Sequence, residues 1–249
     1  MARIFRNCDE MIREVDRELT VSGITVPVKH YQNIELSGDA QLTKELIGVN
    51  FIITRPNEGR EMMLRRMFGS DWEQVHDYCL QELEDRVSPV PLNPGNSYKI
   101  RMDLWQKLMS KGSDKVEKFD YTYSERIANC KQLQNVIDAL EEDPNSRRAM
   151  VMIFQPEDTL SSAGAMTRIP CSISYQFFIR NGKLMVVYYI RSNDYYKHFP
   201  VDIIMTGLIQ EWVLKRLQKT YKDLKLGSLT YFAGSLHAYK EDLDKHVVF

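Results

Sequence analysis

Three residues of complementary chemistry, Cys171, Arg191 and Ser192, are predicted by the sequence to meet at one edge of a β-sheet. A cysteine attacks as its thiolate, and a neighbouring guanidinium favours that form. Arginine forks and serine hydroxyls also bind phosphate groups. Two adjacent arginines, Arg147 and Arg148, follow a turn at the start of an apolar run and would add to this anion-binding edge. From residue types and spacing alone, we expect a thiol enzyme that acts on a phosphorylated small molecule.

A β-hairpin is the element that brings the thiol and the guanidinium together. Two runs rich in β-branched and aromatic residues, 172–180 and 183–191, flank Asn181-Gly182, a dipeptide typical of a two-residue turn. Because such a turn pairs positions symmetrically, the cysteine before the first strand lies level with the arginine and serine at the end of the second.

Each candidate also has an ordinary structural interpretation. A cysteine after a proline at a strand end is more often a small buried hydrophobic residue than a nucleophile, and paired arginines at a strand mouth are usually solvated. His237 is equally well explained as a structural hydrogen-bonding group. Glu82, taken alone, would be an exposed carboxylate on a helix. Cys79 and Cys130 lie on the apolar faces of predicted helices, so we expect both in the core.

Length and composition restrict the class of protein. The chain has 249 residues, of which 43% are apolar and 27% charged, as is ordinary for a soluble globular protein. We expect one domain over residues 1–249, because the Pro- and Gly-rich segment 88–96 is better explained as a long loop than as a linker. The four cysteines have no C-x-x-C spacing, so we expect reduced thiols and no metal site.

Charge and hydropathy restrict the partners. A net charge of −1 gives no global attraction to nucleic acid or to membranes. The longest apolar runs are shorter than a membrane span, and the first residues lack the apolar core of a signal peptide. We therefore expect a cytoplasmic protein with no membrane partner and no stable nucleic-acid partner.

The rest of the chain alternates between helical and extended patterns. Helices are predicted over 9–19, 70–87, 98–110 and 129–140 and from Pro200 onward, and strands over 24–31, 47–54, 149–154 and 229–233.

Five motifs in a fixed order make the chain resemble the thymidylate synthase family. They are D-P-N-S-R-R at 143–148, P-C-S-I-S-Y-Q-F at 170–177, R-S-N-D at 191–194, F-P-V-D at 199–202 and G-S-L-H-A-Y at 234–239. The usual family forms of the central three are P-C-H with Q-F, R-S-x-D and P-F-N. The resemblance covers roughly residues 51–239. It implies an α/β (α+β) fold in which a large mixed β-sheet is flanked by helices and dimerises through the sheet.

The resemblance implies a catalytic role for Cys171, Glu82, Tyr121 and Asp202. Cys171 would add to carbon 6 of a pyrimidine nucleotide, which makes carbon 5 nucleophilic. Glu82, in an E-L context on a helix, would act as general acid/base through water. Because the tryptophan that follows this motif in the family is absent, Glu84 is the alternative. Tyr121 falls where the family has an active-site tyrosine.

The same resemblance implies binding roles for further residues. They are Arg191, Ser192, Arg147 and Arg148 for the phosphate, Gln176 for the nucleotide, His237 and Tyr239 for the sugar hydroxyl, and Asp194 on the folate side. The arginine pair at 147 and 148 would reach across a homodimer into the partner's site. The co-substrate would be 5,10-methylenetetrahydrofolate, with no metal.

One departure from the family pattern bears on the substrate. Asp202 stands where thymidylate synthases have the asparagine of P-F-N, which pairs with the uracil edge. An amide satisfies a carbonyl and a ring N–H together, whereas an ionised carboxylate only accepts hydrogen bonds. It suits the exocyclic amine of cytosine, and polar groups of uracil left unpaired would cost about 1–3 kcal/mol each. With Ser172 in place of the usual histidine, this pattern resembles the phage-type deoxycytidylate hydroxymethylases of the family.

The sequence therefore predicts a deoxycytidylate 5-hydroxymethyltransferase that converts dCMP, methylenetetrahydrofolate and water to 5-hydroxymethyl-dCMP and tetrahydrofolate. Four alternatives stay open. They are a thymidylate synthase acting on dUMP, a cytidylate methylase, a CMP hydroxymethylase of nucleoside-antibiotic pathways, and a catalytically silent nucleotide-binding relative.

Overall fold

A seven-stranded mixed β-sheet forms the centre of this α+β fold, with helices packed against it. The computed structural model describes residues 2–31, 34–111, 117–161 and 168–246. Its strands are β1 (Arg3–Phe5), β2 (Ile24–Pro27), β3 (His30–Tyr31), β4 (Ile34–Glu35), β5 (Leu42–Ile53), β6 (Ser110–Lys111), β7 (Glu117–Lys118), β8 (Met150–Met152), β9 (Ser172–Arg180), β10 (Lys183–Asp194) and β11 (Lys225–Tyr239). Its helices are α1 (Cys8–Ser22), α2 (Arg60–Phe68), α3 (Trp72–Val87), α4 (Met102–Trp105), α5 (Tyr123–Ala128), α6 (Gln132–Glu142), α7 (Asp158–Ser161), α8 (Phe199–Leu217) and α9 (Lys240–His246). None of these helices combines the length and the apolar character that a membrane span requires.

The strand order brings the ends of two long strands together. The sheet runs β1-β5-β11-β10-β9-β8, and β2 adds to β5. Because β10 and β11 are parallel, their carboxyl ends lie at the same edge, where Asp194 pairs with His237 and Ser192 with Ser235. Outside this sheet, β3 pairs with β4 and β6 with β7.

The structure confirms the predicted hairpin. β9 and β10 pair antiparallel, and Asn181 and Gly182 between them have φ values of 50° and 67°, as a type I′ turn requires. The register shifts by one residue at Ile190, where the ladder contains a β-bulge. The N–H of Arg191 donates to the carbonyl of Cys171 at 2.9 Å. The thiol-bearing residue and the arginine are therefore delivered to one edge.

An aromatic core joins the sheet to α8. Tyr231 stacks on Phe51 with ring centroids 4.9 Å apart and meets the edge of Phe199 at 5.2 Å. Tyr175 and Tyr188 stack at 4.8 Å on the neighbouring strands. All five rings are almost fully removed from water, so burial of their apolar area fixes the first turn of α8 against the sheet.

The prediction of one continuous helix over 98–110 is wrong. The chain there forms two 3₁₀ turns, Asn96–Arg101 and Gln106–Leu108, with α4 between them. The carboxylate of Asp85 accepts the backbone N–H groups of residues 96 and 97 at 3.1 and 2.8 Å. This contact ties the start of the segment to α3, so the segment follows the surface of that helix.

The cysteines outside the hairpin occupy two environments. Cys8 and Cys79 are buried, and burial raises the pKa of each thiol to about 12. Cys130, predicted to lie in the core, is exposed. The reason is a break between α5 and α6, where Cys130 and Lys131 have φ values of 57° and 53°.

Replacement of Phe51 by alanine should test the aromatic core. The substitution removes a fully buried ring between β11 and α8, so we expect the free energy of unfolding to fall by about 3–5 kcal/mol. Urea unfolding followed by circular dichroism measures the change. Val21→Ala, at a side chain that is 75% exposed, is the control and should change stability by less than about 0.5 kcal/mol. Equal effects of the two substitutions would contradict the assigned core.

Candidate active site

A cavity of about 310 Å³ opens where the carboxyl ends of β10 and β11 meet α3 and the first turn of α8. Most of the predicted site residues line it. They are Cys171, Glu82, Asp202, Tyr121, Arg191, Ser192, His237, Tyr239 and Asp194. From the predicted set, the cavity thus collects the thiol, three carboxylates, a guanidinium and a histidine, which lie on elements far apart in the sequence.

The thiol edge is held by backbone carbonyls. Arg191 Nε donates to the carbonyl of Pro170 at 2.9 Å, and its Nη2 donates to that of Ile169 at 3.2 Å. The same Nη2 lies 3.8 Å from Sγ of Cys171. A guanidinium at this distance stabilises a thiolate, and its exposed side is available to an anion. The geometry fits the chemistry that the hairpin predicts.

Ser172 supports the nucleophile from the core side. Its backbone N–H donates to the hydroxyl of Tyr123 at 3.2 Å, and its hydroxyl hydrogen-bonds that of Tyr188 at 2.6 Å. Ser172 is fully buried. The residue after the thiol therefore belongs to a buried hydroxyl network, which fixes the backbone at position 171.

The parallel pairing of β10 and β11 places the histidine beside the serine. His237 Nδ1 lies 3.5 Å from the hydroxyl of Ser192 and 3.3 Å from that of Ser235, which also donates to Glu45. Burial lowers the pKa of His237 to about 4, so the ring is neutral at neutral pH. Tyr239 meets the edge of the His237 ring at 5.6 Å. These groups form a polar patch suited to a sugar hydroxyl.

Glu82 faces the cavity with its carboxylate fully engaged. It accepts hydrogen bonds from Arg86 at 2.8 Å, from the hydroxyl of Ser97 at 2.7 Å and from that of Tyr78 at 3.3 Å. Glu84, two residues along α3, is exposed and bonds a neighbouring glutamine. The alternative assignment to Glu84 therefore does not fit this cavity.

Asp202 lies in the first turn of α8 and lines the same cavity. Burial raises the pKa of its carboxyl to about 7, against the lowering effects of Arg86 and of a hydrogen bond from Asn193. Asn193 is itself anchored to Tyr231 at 3.1 Å. The carboxyl therefore exchanges a proton near neutral pH at a fixed position in the cavity wall.

Asp194 ends β10 as a buried carboxylate at the edge of the cavity. Its Oδ1 accepts the backbone N–H groups of Tyr196 and Lys197, both at 3.1 Å. Its buried Oδ2 accepts no hydrogen bond from the described residues, although the Lys197 ammonium lies 3.6 Å away. Burial raises the pKa of this carboxyl to about 6. The carboxylate is thus held by two backbone N–H groups on one oxygen and by an ion pair with Lys197 on the other.

Tyr121 belongs to an aromatic wall on one side of the cavity. Burial raises the pKa of its hydroxyl. The guanidinium of Arg168 lies over the rings of Tyr121, Phe119 and Trp105, at 4.7, 4.9 and 5.6 Å from their centroids. Stacked rings and a flat cation are surfaces on which planar heterocycles pack.

Several residues that line the cavity were not predicted from the sequence, and they include Arg86, Arg168, Trp105, His198 and Tyr31. Arg86 had a usable signal, since it follows Glu82 by four residues on the same helical face. The others come from irregular segments or short elements, where periodicity gives no signal.

Arg147, Arg148 and Gln176 lie outside this cavity, in contrast to the other predicted site residues. Both arginines are exposed beside β8. Gln176 pairs with Val187 and Met150 on the face of the sheet opposite the buried tyrosines, and its Nε2 donates to the carbonyl of Arg147 at 2.9 Å. The register of β9 therefore separates Gln176 from the cavity of its own chain.

Among the described residues, no group of three or more histidine, cysteine or acidic side chains is arranged to bind a metal ion.

Comparison with known proteins agrees with the motifs. The sequence profile of the family described as "Thymidylate synthase" matches residues 63–247. A protein named "Putative thymidylate synthase" from Methanosarcina acetivorans is 30% identical over 149 residues, which span 58% of this chain and 64% of that relative. Its namesake from Methanosarcina barkeri is 28% identical over the same shares. The match thus covers less than two thirds of these relatives' length.

The thiol edge predicts selective alkylation. Iodoacetamide should modify Cys171 and the exposed Cys130 in the folded protein, but not the buried Cys8 and Cys79. Arg191→Gln should slow modification of Cys171 about tenfold, because the thiolate loses its neighbouring cation. Peptide-resolved mass spectrometry measures each rate, with Cys130 as internal control and Arg191→Lys as the charge-retaining variant. An unchanged Cys171 rate in Arg191→Gln would show that the guanidinium does not act on the thiol.

Proposed function

Because this chain belongs to the thymidylate synthase family, we propose that it is a deoxycytidylate 5-hydroxymethyltransferase. The family consists of one-carbon transferases that bind a pyrimidine nucleotide and methylenetetrahydrofolate. The proposed reaction converts dCMP, methylenetetrahydrofolate and water to 5-hydroxymethyl-dCMP and tetrahydrofolate. The observation that carries the choice of base is Asp202, a carboxyl at the position of the family's uracil-pairing asparagine.

The nucleotide would bind with its phosphate at Arg191 and its sugar at the polar patch of β11. The guanidinium and the hydroxyl of Ser192 receive the phosphate, and His237 with Tyr239 receives the sugar hydroxyl. This placement sets carbon 6 of the base beside Sγ of Cys171. The thiolate adds there and carbon 5 becomes nucleophilic.

Folate would bind on the side of Asp194 and the aromatic wall. Asp194 lines this side of the cavity, and the rings beside Arg168 provide an aromatic surface for the folate heterocycle. The folate supplies the methylene group. Glu82, which already bonds Ser97 and Arg86, moves protons through water at carbon 5 and at the departing amine.

The carboxyl of Asp202 would share one proton with the ring nitrogen at the hydrogen-bonding edge of cytosine. The exocyclic amine of cytosine donates to one carboxyl oxygen, and a proton on either the carboxyl or the ring nitrogen completes the second hydrogen bond. Uracil lacks a basic ring nitrogen, so its carbonyl faces an anionic oxygen whenever Asp202 is ionised. A carboxyl that titrates near neutral pH therefore favours cytosine.

A thymidylate synthase acting on dUMP is the second candidate. The two Methanosarcina relatives, each named "Putative thymidylate synthase", favour it. Against it stands the same carboxyl, because a fixed amide donor for the uracil carbonyl is missing at position 202.

We also propose a homodimer in which each chain donates Arg147 and Arg148 to its partner's phosphate site. Both arginines are exposed and lie beside β8, whose Met150 and Met152 are 37% and 41% exposed. An edge with apolar side chains next to cations suits an interface that delivers charge to a neighbouring cavity.

Substrate preference should depend on pH in the parent protein. Because the pKa of Asp202 is about 7, the carboxyl is mostly protonated at pH 6 and mostly ionised at pH 8. Turnover of dUMP should fall more steeply than that of dCMP over this interval, so the dCMP/dUMP preference should rise by up to about tenfold. Competition between the two tritiated nucleotides, each with methylenetetrahydrofolate, measures it.

Asp202→Asn is the matched control, since an amide does not titrate. In this variant the preference should shift toward dUMP and stay constant between pH 6 and pH 8. Indifference of the parent to the two nucleotides at pH 8 would contradict the proposed substrate.

Mixed dimers should recover activity if the arginines act across the interface. Cys171→Ser and Arg148→Glu chains should each be inactive alone, but a mixed dimer would contain one site with an intact thiol and an intact donated arginine. Random exchange should restore about a quarter of the parent's activity per chain. Mixing after partial denaturation, with tritium release as readout, tests this. No recovery despite verified mixed dimers would place the arginines' action within one chain.

A further inference from the structure

His198 is a half-buried histidine that lines the cavity and has no part in the proposed nucleotide and folate contacts. It precedes α8, and its backbone joins two assigned carboxylates. Its N–H donates to the carbonyl of Asp194 at 3.0 Å, and its carbonyl accepts the N–H of Asp202 at 2.9 Å. Under the proposed function, Asp194 faces the folate and Asp202 the base. The backbone of His198 therefore lies between the residues proposed to face the two ligands, and the residue lines the cavity that these ligands would share.

The imidazole is fixed in orientation by two neighbours. Nε2 hydrogen-bonds the hydroxyl of Tyr31 at 3.0 Å, and the ring packs on Trp105 with centroids 5.5 Å apart. Tyr31 is held in turn against Tyr239 at 5.6 Å and under the Lys197 ammonium at 5.3 Å. Among the described residues, Nδ1 has no hydrogen-bond partner. One ring nitrogen is therefore committed to the protein and the other is left for a ligand.

The surroundings keep this imidazole uncharged. Burial, followed by the cations Arg101, Lys197 and Arg168, lowers the pKa of His198 to about 3. A neutral ring with Nε2–H donating to Tyr31 has a lone pair on Nδ1, which accepts a hydrogen bond from water.

We infer that His198 is a further catalytic residue of the proposed reaction, which binds through Nδ1 the water molecule that becomes the hydroxyl group of the product. Tyr31 is its positioning residue. This inference depends on the proposed function, since only a hydroxymethyl product requires the addition of water.

The step balances without an oxidant or a reductant. After the folate amine has left, the base carries a methylene group double-bonded to carbon 5 and a Cys171 sulfur on carbon 6. The water oxygen bonds to the methylene carbon, and the methylene π electrons move into the ring toward its nitrogen, while Nδ1 accepts a hydrogen bond from the water proton. The ring electrons then form the C5–C6 double bond, the C6–S bond breaks, and the departing thiolate takes that proton, so no charged imidazole accumulates.

Two substitutions separate this role from a purely structural one. Glutamine places its amide near the Nε2 position, so His198→Gln keeps a partner for Tyr31 but loses the group at Nδ1. Asparagine places its amide near the Nδ1 position, so His198→Asn keeps a group for water and loses the contact with Tyr31. A residue that only anchors Tyr31 should tolerate glutamine better than asparagine.

The experiment compares two readouts with 5-tritiated dCMP and methylenetetrahydrofolate: tritium release, which precedes water addition, and formation of 5-hydroxymethyl-dCMP. His198→Gln should lower product formation about 10- to 100-fold more than tritium release. Added 2-mercaptoethanol should then capture the methylene as a 5-thioether of dCMP, identified by mass. His198→Asn should restore part of the product, and Tyr31→Phe should show a smaller split of the same kind. His76→Gln, at a histidine 45% exposed outside the cavity, is the matched control.

Equal losses of tritium release and product in His198→Gln, unchanged kinetics, or better function with glutamine than with asparagine would each overturn the inference. Thermal unfolding and dCMP binding of each variant, compared with the parent, identify a folding defect, and Tyr31→Phe retains a test if His198 variants do not fold. Absence of tritium release from dCMP in the parent, or formation of only a methylated product, shows instead that the proposed function fails, and the inference with it.

Discussion

The buried guanidinium of Arg86 is the contact on which the site depends. It donates to Glu82 at 2.8 Å and to the hydroxyl of Tyr175 at 3.0 Å, and it lies over the ring of Tyr123 at 4.8 Å. Burial opposes its charge, but Tyr175, Glu82 and Asp202 outweigh that effect and raise the pKa of Arg86 above its ordinary range. A helix, the sheet and the first turn of α8 thus share one cation. Removal of one partner from such a buried pair typically costs about 3–5 kcal/mol.

The same cation explains how carboxyls in one cavity differ in behaviour. Glu82 accepts three hydrogen bonds, one of them from its ion-pair partner Arg86, whereas burial dominates the pKa of Asp202 and Arg86 acts on that carboxyl only as a nearby charge. Asp194 is buried too, but backbone N–H groups satisfy one of its oxygens. In the proposed function, the environment of each carboxyl rather than its residue type would suit Glu82 to proton transfer through water, Asp202 to a proton shared with a base, and Asp194 to a fixed acceptor.

Local pattern predicted the parts of the fold that repeat regularly and failed where tertiary contacts override it. The hairpin followed from Asn181-Gly182 and alternating side chains, and with it the meeting of Cys171 and Arg191. The F-P-V-D motif predicted Asp202 as a site residue. The raised pKa of its carboxyl depends on burial, which no short stretch of sequence encodes. The segment after residue 96 bends because Asp85 binds its backbone, a contact across a loop. Tyr31 lies on a strand of only two residues. The hydrogen-bond partner of its hydroxyl, His198, is 167 positions away in the sequence.

Trp105 makes the cavity optically visible. The chain has three tryptophans, and of these Trp105 lines the cavity, where it contacts His198 and the guanidinium of Arg168. Trp72 and Trp212 lie elsewhere, each against an arginine of its own. Indole fluorescence responds to the polarity and the cations around the ring, so a molecule that displaces water beside Trp105 alters the emission of one fluorophore over a constant background from two. The protein therefore carries its own reporter of occupancy, and binding can be followed in real time without a label.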